Sequence, residues 1–186
     1  MKLRPLLVAI FAVVVVTAAV EFYMGRLPFG PDGRFGWLET DIWSSAQSQR
    51  VADPYSFSHI VHGFLFYGLL WLTARRWPVS TRLLAAVVLE GGWEILENSP
   101  LIIDRYRAVT IAQGYVGDSI LNSISDIAMC AGGFLLAANL RVAMSVALVV
   151  ATEILMVVLI RDNLTLNIVM LVAPIEAIRT WQLAGH

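Results

Sequence analysis

Three glutamates with helical spacing interrupt an otherwise apolar stretch of this chain. Glu90, Glu94 and Glu97 lie four and three residues apart, and residues at these separations are neighbours on one face of a helix. Carboxylates this close together repel one another unless protons, a cationic side chain or a metal ion offset their charge. The stripe therefore predicts either a binding site or a polar face that pairs with a neighbouring helix.

Two further apolar stretches carry polar side chains on one helical face. Asp118, Asn122 and Asp126 repeat every four residues, and His59 and His62 lie three residues apart. Imidazole is the commonest metal ligand and titrates near neutral pH. Because a charged side chain at the centre of a membrane helix costs about 2.5–3.5 kcal/mol on insertion scales, we expect the three polar faces to turn toward one another.

Three kinds of chemistry fit these residues. The first is a divalent metal site, since oxygen and imidazole donors suit zinc, manganese or iron. The second is a catalytic carboxylate pair, and the third is passage of protons or cations along the acids. The candidate metal ligands are His59, His62, Glu94, Glu97 and Asp118. The candidate catalytic residues are Glu94, Asp118 and Asp126.

A purely structural role explains the same residues without a ligand. Polar side chains in membrane helices often only hydrogen-bond the helices together, at about 0.6 kcal/mol each. Arginines in a neighbouring loop would then neutralise Asp118. The polar side chains expected to support either arrangement are Glu90, Asn98, Asn122, Arg105 and Arg107.

The composition indicates where these residues lie. Of the 186 residues, 58% are hydrophobic and 15% are charged, and the net charge is −1, whereas soluble domains are about 45–50% apolar. The excess favours a lipid bilayer as the partner, and the lack of a basic tract argues against nucleic acid. The single cysteine, Cys130, excludes a disulfide within the chain and a cysteine-based zinc site.

Five apolar stretches approach the length of about 20 residues, 17 at the short end, that crosses a bilayer. The sequence therefore predicts an all-α, polytopic membrane helix bundle in a single domain, residues 1–186. The predicted spans are 5–24, 58–74, 82–98, 118–138 and 142–160, with polar loops at 25–57 and 99–117. The first span also fits a cleavable signal peptide, and as an anchor it is long enough only if Glu21 lies at the far interface. After the fifth span, the tail from residue 164 predicts an interfacial or re-entrant segment.

Short basic loops predict that the N-terminus lies in the cytoplasm. Arg75, Arg76 and Arg82 flank the turn between the second and third spans, and Arg141 lies in the turn before the fifth. In that topology the candidate metal ligands all come to the outer leaflet, and Glu90 and Asp126 lie deeper. This agreement in depth is the strongest argument from the sequence that the residues form one site.

Four long motifs resemble a known family over nearly the whole chain. They are YSFSHIVHGFLFYG at 55–68, EGGWEILENSP with DRYR at 90–107, GYVGDSILNS at 114–123 and RDNLTLN at 161–167. Together they resemble uncharacterised protein family 0314, whose members are small multi-pass proteins of the bacterial inner membrane. The resemblance implies this location and topology, and it implies no particular activity.

The function expected from the sequence is that of a multi-pass inner-membrane protein with a His/Glu/Asp site near the outer leaflet. One more specific hypothesis is a metal-dependent membrane hydrolase that acts on a lipid-linked or envelope substrate. The other is a non-enzymatic membrane subunit or assembly factor whose acids are structural. A divalent metal is the only cofactor that the residue types suggest.

Overall fold

A computed structural model of the chain describes residues 1–184 and contains eight α-helices in that range. The only β pairing in the described range is an isolated bridge between Leu38 and Ala52, so the predicted all-α class is confirmed. The helices are α1 Leu3–Tyr23, α2 Ser56–Thr73, α3 Val79–Glu97, α4 Pro100–Val109, α5 Ile120–Asn139, α6 Val142–Ile160, α7 Leu164–Val172 and α8 Glu176–Leu183.

Three of these helices are long and apolar enough to cross a membrane. They are α1, α5 and α6, with mean hydropathies of 2.5, 1.6 and 2.5. Most of the surface of α1 and α6 is exposed although it is apolar, as expected for helices that face lipid. The more polar α2 and α3 have 18 and 19 residues, so each is about 27 Å long at 1.5 Å per residue.

The segments between the predicted spans contain more helix than the sequence suggested. The first half of the predicted loop 99–117 forms α4, which begins with Pro100 in its first turn. Its buried residues Ile103, Tyr106 and Val109 recur every three positions, a helical pattern hidden among charged neighbours. The tail forms two short helices, α7 and α8, with Pro174 between them.

The closest helix pair in the bundle is α2 with α5, and two glycines allow it. A Cβ on Gly63 would overlap the carbonyl oxygen of Cys130, and a Cβ on Gly133 would overlap the carbonyl oxygen of Ile60. The two backbones therefore touch at this crossing, as small residues permit in membrane helix pairs. This contact fixes how the N-terminal half of α2 faces α5.

Helix α3 lies beside α1 and α5, and contacts at both ends define its direction. The N-terminal amine of Met1 donates to Ser80 Oγ at 2.7 Å, so α1 and α3 begin at the same end of the bundle. At the other end, the Ile120 amide donates to the carbonyl of Leu27 at 2.9 Å. Helix α5 therefore starts where α1 ends, and the loops 24–55 and 110–119 cover that end.

A buried aspartate anchors the tail to the bundle. Asp162 Oδ2 accepts hydrogen bonds from Tyr55 Oη at 2.9 Å and Asn167 Nδ2 at 2.7 Å, and its Oδ1 accepts from Gln182 Nε2 at 3.0 Å. Burial raises the pKa of Asp162 to about 6, although these hydrogen bonds act in the opposite direction.

Glu153 accepts hydrogen bonds from the first backbone amides of α7, as a helix N-terminus requires.

We predict that Gly63→Ala destabilises the bundle, because the added methyl must push α2 and α5 apart. Overpacking of this kind costs about 1–3 kcal/mol. Gly68→Ala on the same helix is the matched control, since a Cβ there meets no atom within 4 Å among the described residues. Thermal unfolding in detergent should show a lower midpoint for Gly63→Ala and an unchanged or higher one for Gly68→Ala. Equal midpoints for the two variants would contradict the backbone contact.

Candidate functional site

Two histidines on α2 point into the gap between α2 and α3. His59 and His62 are three residues apart on one helix face, and their ring centroids are 5.2 Å apart. The crossing at Gly63 brings this face close to the acids of α3 and α5. His59 is 8% exposed, so its neighbours within the bundle, rather than water, determine its charge and hydrogen bonding.

Glu90 is the acid that contacts both histidines. Its Oε1 lies 2.6 Å from His59 Nδ1 and 3.1 Å from His62 Nδ1, and its Oε2 lies 3.1 Å from His62 Nδ1. Glu90 is fully buried. The sequence assigned this residue a deeper, supporting position, whereas the structure places its carboxylate at the centre of the cluster.

Glu94, one turn further along α3, is fully buried and has almost no polar compensation. Neither of its carboxylate oxygens accepts a hydrogen bond from any residue between 1 and 184. Its one close cationic neighbour in that range is His59, whose Nδ1 lies 3.4 Å from Glu94 Oε1. A buried ionised carboxylate without donors is costly, so Glu94 is either protonated or paired with a cation.

Asp126 lies on the other side of the His59 ring. Its Oδ2 is 3.8 Å from His59 Nε2, and its Oδ1 receives no hydrogen bond from the described part of the chain. His59 therefore stands between two α3 glutamates at Nδ1 and an α5 aspartate at Nε2. At 3.8 Å the Asp126 carboxylate faces the ring without a direct hydrogen bond to it.

Asp118 belongs to a neighbouring network in which its oxygens are occupied. Its Oδ2 accepts from Asn98 Nδ2 at 2.9 Å and its Oδ1 from Tyr115 Oη at 2.9 Å. The Asp118 amide in turn donates to Asn98 Oδ1 at 2.7 Å. This network joins the C-terminal end of α3 to the start of α5, where Ser119 caps the helix through the Asn122 amide.

The remaining predicted residues lie nearby, and the two arginines do not contact Asp118. Arg105 Nε donates to the carbonyl of Leu171 at 2.9 Å, and Arg107 Nε donates to the carbonyl of Tyr115 at 2.5 Å. Asn122 Nδ2 donates to the carbonyl of Arg50 at 3.0 Å. Both arginines thus tether other segments at the same end of the bundle, and neither neutralises Asp118.

Two overlapping groups of side chains have ligand atoms within 4.8 Å of one another. One comprises His59, His62 and Glu90, and the other comprises His59, Glu94 and Glu97. Nitrogen and oxygen donors at such separations can surround a single divalent ion, whose bonds to them are about 2 Å long. Asp118 belongs to neither group, although the sequence suggested it as a ligand.

A cavity of about 820 Å³ adjoins this cluster. Its polar wall includes His59, His62, Glu97, Asp118 and Asp126, while Glu90 and Glu94 lie behind the wall. The rest of the lining comes from apolar side chains of α3 and α7 and from the loops at the same end of the bundle. Mostly apolar cavities with a few convergent polar groups are typical of small-molecule sites.

The family of the chain follows from its similarity to known proteins. A family model described as a protein of unknown function, DUF2585, matches residues 21–184. The chain belongs to the DUF2585 family. A UPF0314 protein of Rhizobium johnstonii is 53% identical over 175 residues, which are 94% of this chain and 90% of that protein. A UPF0314 protein of Sphingopyxis alaskensis is 50% identical over 175 residues, 94% and 93% of the two chains.

These similarities confirm the resemblance that the four motifs indicated. No solved structure matches the chain, and the descriptions of the family and of these relatives assign no activity. The geometry of this chain is therefore the only basis for a function.

One buried acid outside both ligand groups was missed by the sequence interpretation. Glu21 was expected at the membrane interface, but the structure buries it completely on α1, because the chain after α1 folds over the start of α5. Neither of its oxygens finds a hydrogen-bond donor in the described residues. Thr17, one turn earlier, is also buried against Gly91 of α3. Two polar residues four positions apart, on one face of α1, were the available signal in the sequence.

We predict that Asn98→Asp destabilises the bundle and that Asp118→Asn in the same chain restores much of the loss. The single change sets a carboxylate against the Asp118 carboxylate and removes the 2.9 Å amide donor, at a cost of about 1–3 kcal/mol. In the double variant, positions 98 and 118 again carry one amide and one carboxylate, with their places exchanged. Thermal midpoints of the four proteins form a double-mutant cycle, and strictly additive midpoints would contradict the direct contact.

Proposed function

We propose that this protein is a multi-pass protein of the bacterial inner membrane with five spans and a cytoplasmic N-terminus. It binds a divalent metal ion between α2 and α3, and it uses the ion to hydrolyse a lipid-linked or envelope substrate in the adjoining cavity. Each part of this proposal has separate support.

The five spans are supported by the contacts at the ends of the helices. Helix α3 begins beside α1, at the Met1–Ser80 contact, and its C-terminal Asn98 binds Asp118, next to the end of α1. If α1 crosses the bilayer, α3 crosses it in parallel. The short turn before α3 makes α2 the antiparallel partner, and α5 and α6 follow as the fourth and fifth spans.

The orientation is supported by the charges of the short turns. Arg75, Arg76 and Arg82 lie at the end where α1 begins, and Arg141 lies in the turn between α5 and α6. Basic residues in short loops favour the cytoplasmic side. The site then opens toward the outer leaflet, where envelope and lipid-linked substrates are found.

The observation that carries the metal site is Glu94, a fully buried carboxylate without a hydrogen-bond donor in the described chain, 3.4 Å from a histidine. His59, His62 and Glu90 offer two nitrogens and a carboxylate oxygen beside it. A divalent ion there would offset the charge of both glutamates. Asp126 would be the outer partner that orients His59, as second-shell carboxylates do in metal sites.

Hydrolysis is the reaction that this arrangement supports best. A divalent ion lowers the pKa of bound water toward neutrality and polarises a carbonyl. Asp126 lines the cavity and retains an unbonded oxygen, so it is positioned to accept a proton as general base. Asp118 is less suited to that role, since Asn98 and Tyr115 occupy its oxygens.

A non-enzymatic role is favoured by one observation, the contacts of Glu90 with both histidines. These contacts link α2 to α3 without any ion. In that case the acids only join the helices of a membrane subunit or assembly factor. Metal analysis separates the two functions.

We predict about one tightly bound divalent ion per chain in protein purified from membranes without chelator, because all ligands come from one subunit. His62→Ala and Glu90→Gln should each lower the metal affinity at least about tenfold, since the loss of even an outer-shell partner costs about 10–100-fold, and the metal content should fall accordingly. Elemental mass spectrometry against protein concentration measures this ratio.

Glu21→Gln is the matched control, because Glu21 is another fully buried acid without a donor in the described chain but lies outside both ligand groups. It should retain the wild-type metal content. A wild-type protein without stoichiometric metal, even after incubation with zinc or manganese, would contradict the metal site and support the structural role.

A further inference from the structure

The cavity wall carries more acids than bases, since His59 and His62 are the only basic side chains among the described lining residues. Four acids line it, namely Asp53, Glu97, Asp118 and Asp126, and the lining includes no lysine or arginine from residues 1–184. Glu90 and Glu94 add two more carboxylates directly behind the wall. Even a divalent ion offsets only part of this charge. Like charges at about 4 Å repel by roughly 1 kcal/mol in water and by more in a less polar interior.

Arginines bond the cavity wall from outside it, and one of them is Arg105, which donates to the carbonyl of the lining residue Leu171. Arg26 donates to the carbonyl of Val116, and Arg107 donates to the carbonyl of Tyr115 at 2.5 Å. Val116 and Tyr115 line the cavity, whereas the arginines that hold their carbonyls do not. Sites for phosphate typically present arginine, lysine or several amide donors, and the described part of this cavity presents no arginine or lysine side chain.

One flank of the cavity is apolar and reaches the outer surface of the bundle. Val88, Leu89 and Ile168 line the cavity and yet are 52%, 44% and 50% exposed. Val88 and Leu89 lie halfway along α3, which is mid-bilayer depth if α3 spans the membrane. A hydrocarbon chain can therefore enter sideways from the lipid, at about 0.8 kcal/mol for each buried methylene.

We infer that the cavity binds an uncharged acyl amphiphile, an ester or an amide, whose chain enters between α3 and α7 while its carbonyl reaches the acidic end. Asp126, which is 3% exposed and has a carboxylate oxygen without a donor among the described residues, lines that end. Amphiphiles that carry phosphate are disfavoured there by the surrounding carboxylates. The catalytic half of this inference rests on the proposed metal site, whereas the binding half does not.

The hydrolysis of such a substrate balances with water alone. The water oxygen bonds to the acyl carbon, and the bond from that carbon to the ester oxygen or amide nitrogen breaks. The proton that Asp126 removes from water passes to the leaving oxygen or nitrogen. The products are a fatty acid and an alcohol or amine.

The binding test compares hexadecanamide with hexadecyl phosphate at equal concentration. Native mass spectrometry of the detergent-solubilised protein should show at least about tenfold more retained amide, the equivalent of 1.4 kcal/mol. Glu97→Gln should narrow this difference by increasing retention of the phosphate. Equal or greater retention of hexadecyl phosphate by the wild-type protein would overturn the inference.

Two variants test the lateral entry. Leu89→Trp on α3 and Ile168→Trp on α7 should each reduce retention of hexadecanamide, because the indole fills the apolar flank. Leu72→Trp is the control, since Leu72 is 70% exposed on α2 and does not line the cavity. If neither flank variant binds less hexadecanamide than the Leu72 variant, entry of the hydrocarbon chain between α3 and α7 is excluded.

The catalytic test uses hexadecanoyl and butanoyl esters of 4-methylumbelliferone and the matching aminocoumarin amides, with metal content measured on the same samples. Faster release from a hexadecanoyl substrate supports the inference and shows whether esters or amides are cleaved. If the protein retains hexadecanamide but contains no metal and hydrolyses no substrate, the proposed metal-dependent hydrolysis is wrong. Only the inference that the cavity binds an uncharged acyl amphiphile then stands. If metal-loaded protein retains hexadecyl phosphate rather than hexadecanamide, the metal site is supported and the uncharged acyl substrate class is wrong.

Discussion

The structure depends on the way in which one buried histidine compensates several buried carboxylates. His59 lies within 4 Å of Glu90, Glu94 and Asp126, and one imidazolium can offset only one negative charge. As a general scale, two ionised carboxylates 4 Å apart repel by about 4 kcal/mol at an effective dielectric constant of 20. Either protons on the acids or an added cation must therefore offset the remaining charge, and the proposed metal site is the second of these two solutions.

The rest of the fold holds this cluster in place. The glycine contact between α2 and α5 brings His59 and Asp126 together across two touching backbones. Helix α3 supplies its glutamates from between α1 and α5, and Asn98 ties its end to the loop before α5. The loops and the tail cover this end of the bundle, which leaves a cavity that is polar at its end and apolar along its flank. Chemistry and substrate entry can thus occupy neighbouring parts of one space.

Much of this arrangement could be predicted from the sequence. The helical spacing of the α3 glutamates, and of the polar residues of α5, placed each set on one face, and the alternating direction of successive long helices brought those faces to one end. The central position of Glu90 could not be predicted, because depth along a helix does not determine how far a side chain reaches toward its neighbour. The four-residue spacing of Thr17 and Glu21 indicated a polar face on α1, but the fold of the chain after α1 that covers Glu21 is a long-range contact and could not be predicted.

X-ray absorption spectroscopy at the edge of the bound metal tests the central claim most directly. The account predicts a first shell of nitrogen and oxygen at about 2.0–2.2 Å, with the outer-shell scattering of two imidazole rings from His59 and His62. In the His62→Ala protein, one imidazole contribution should disappear from any metal that remains. A first shell of oxygen alone, without imidazole scattering, would contradict a metal centre between α2 and α3.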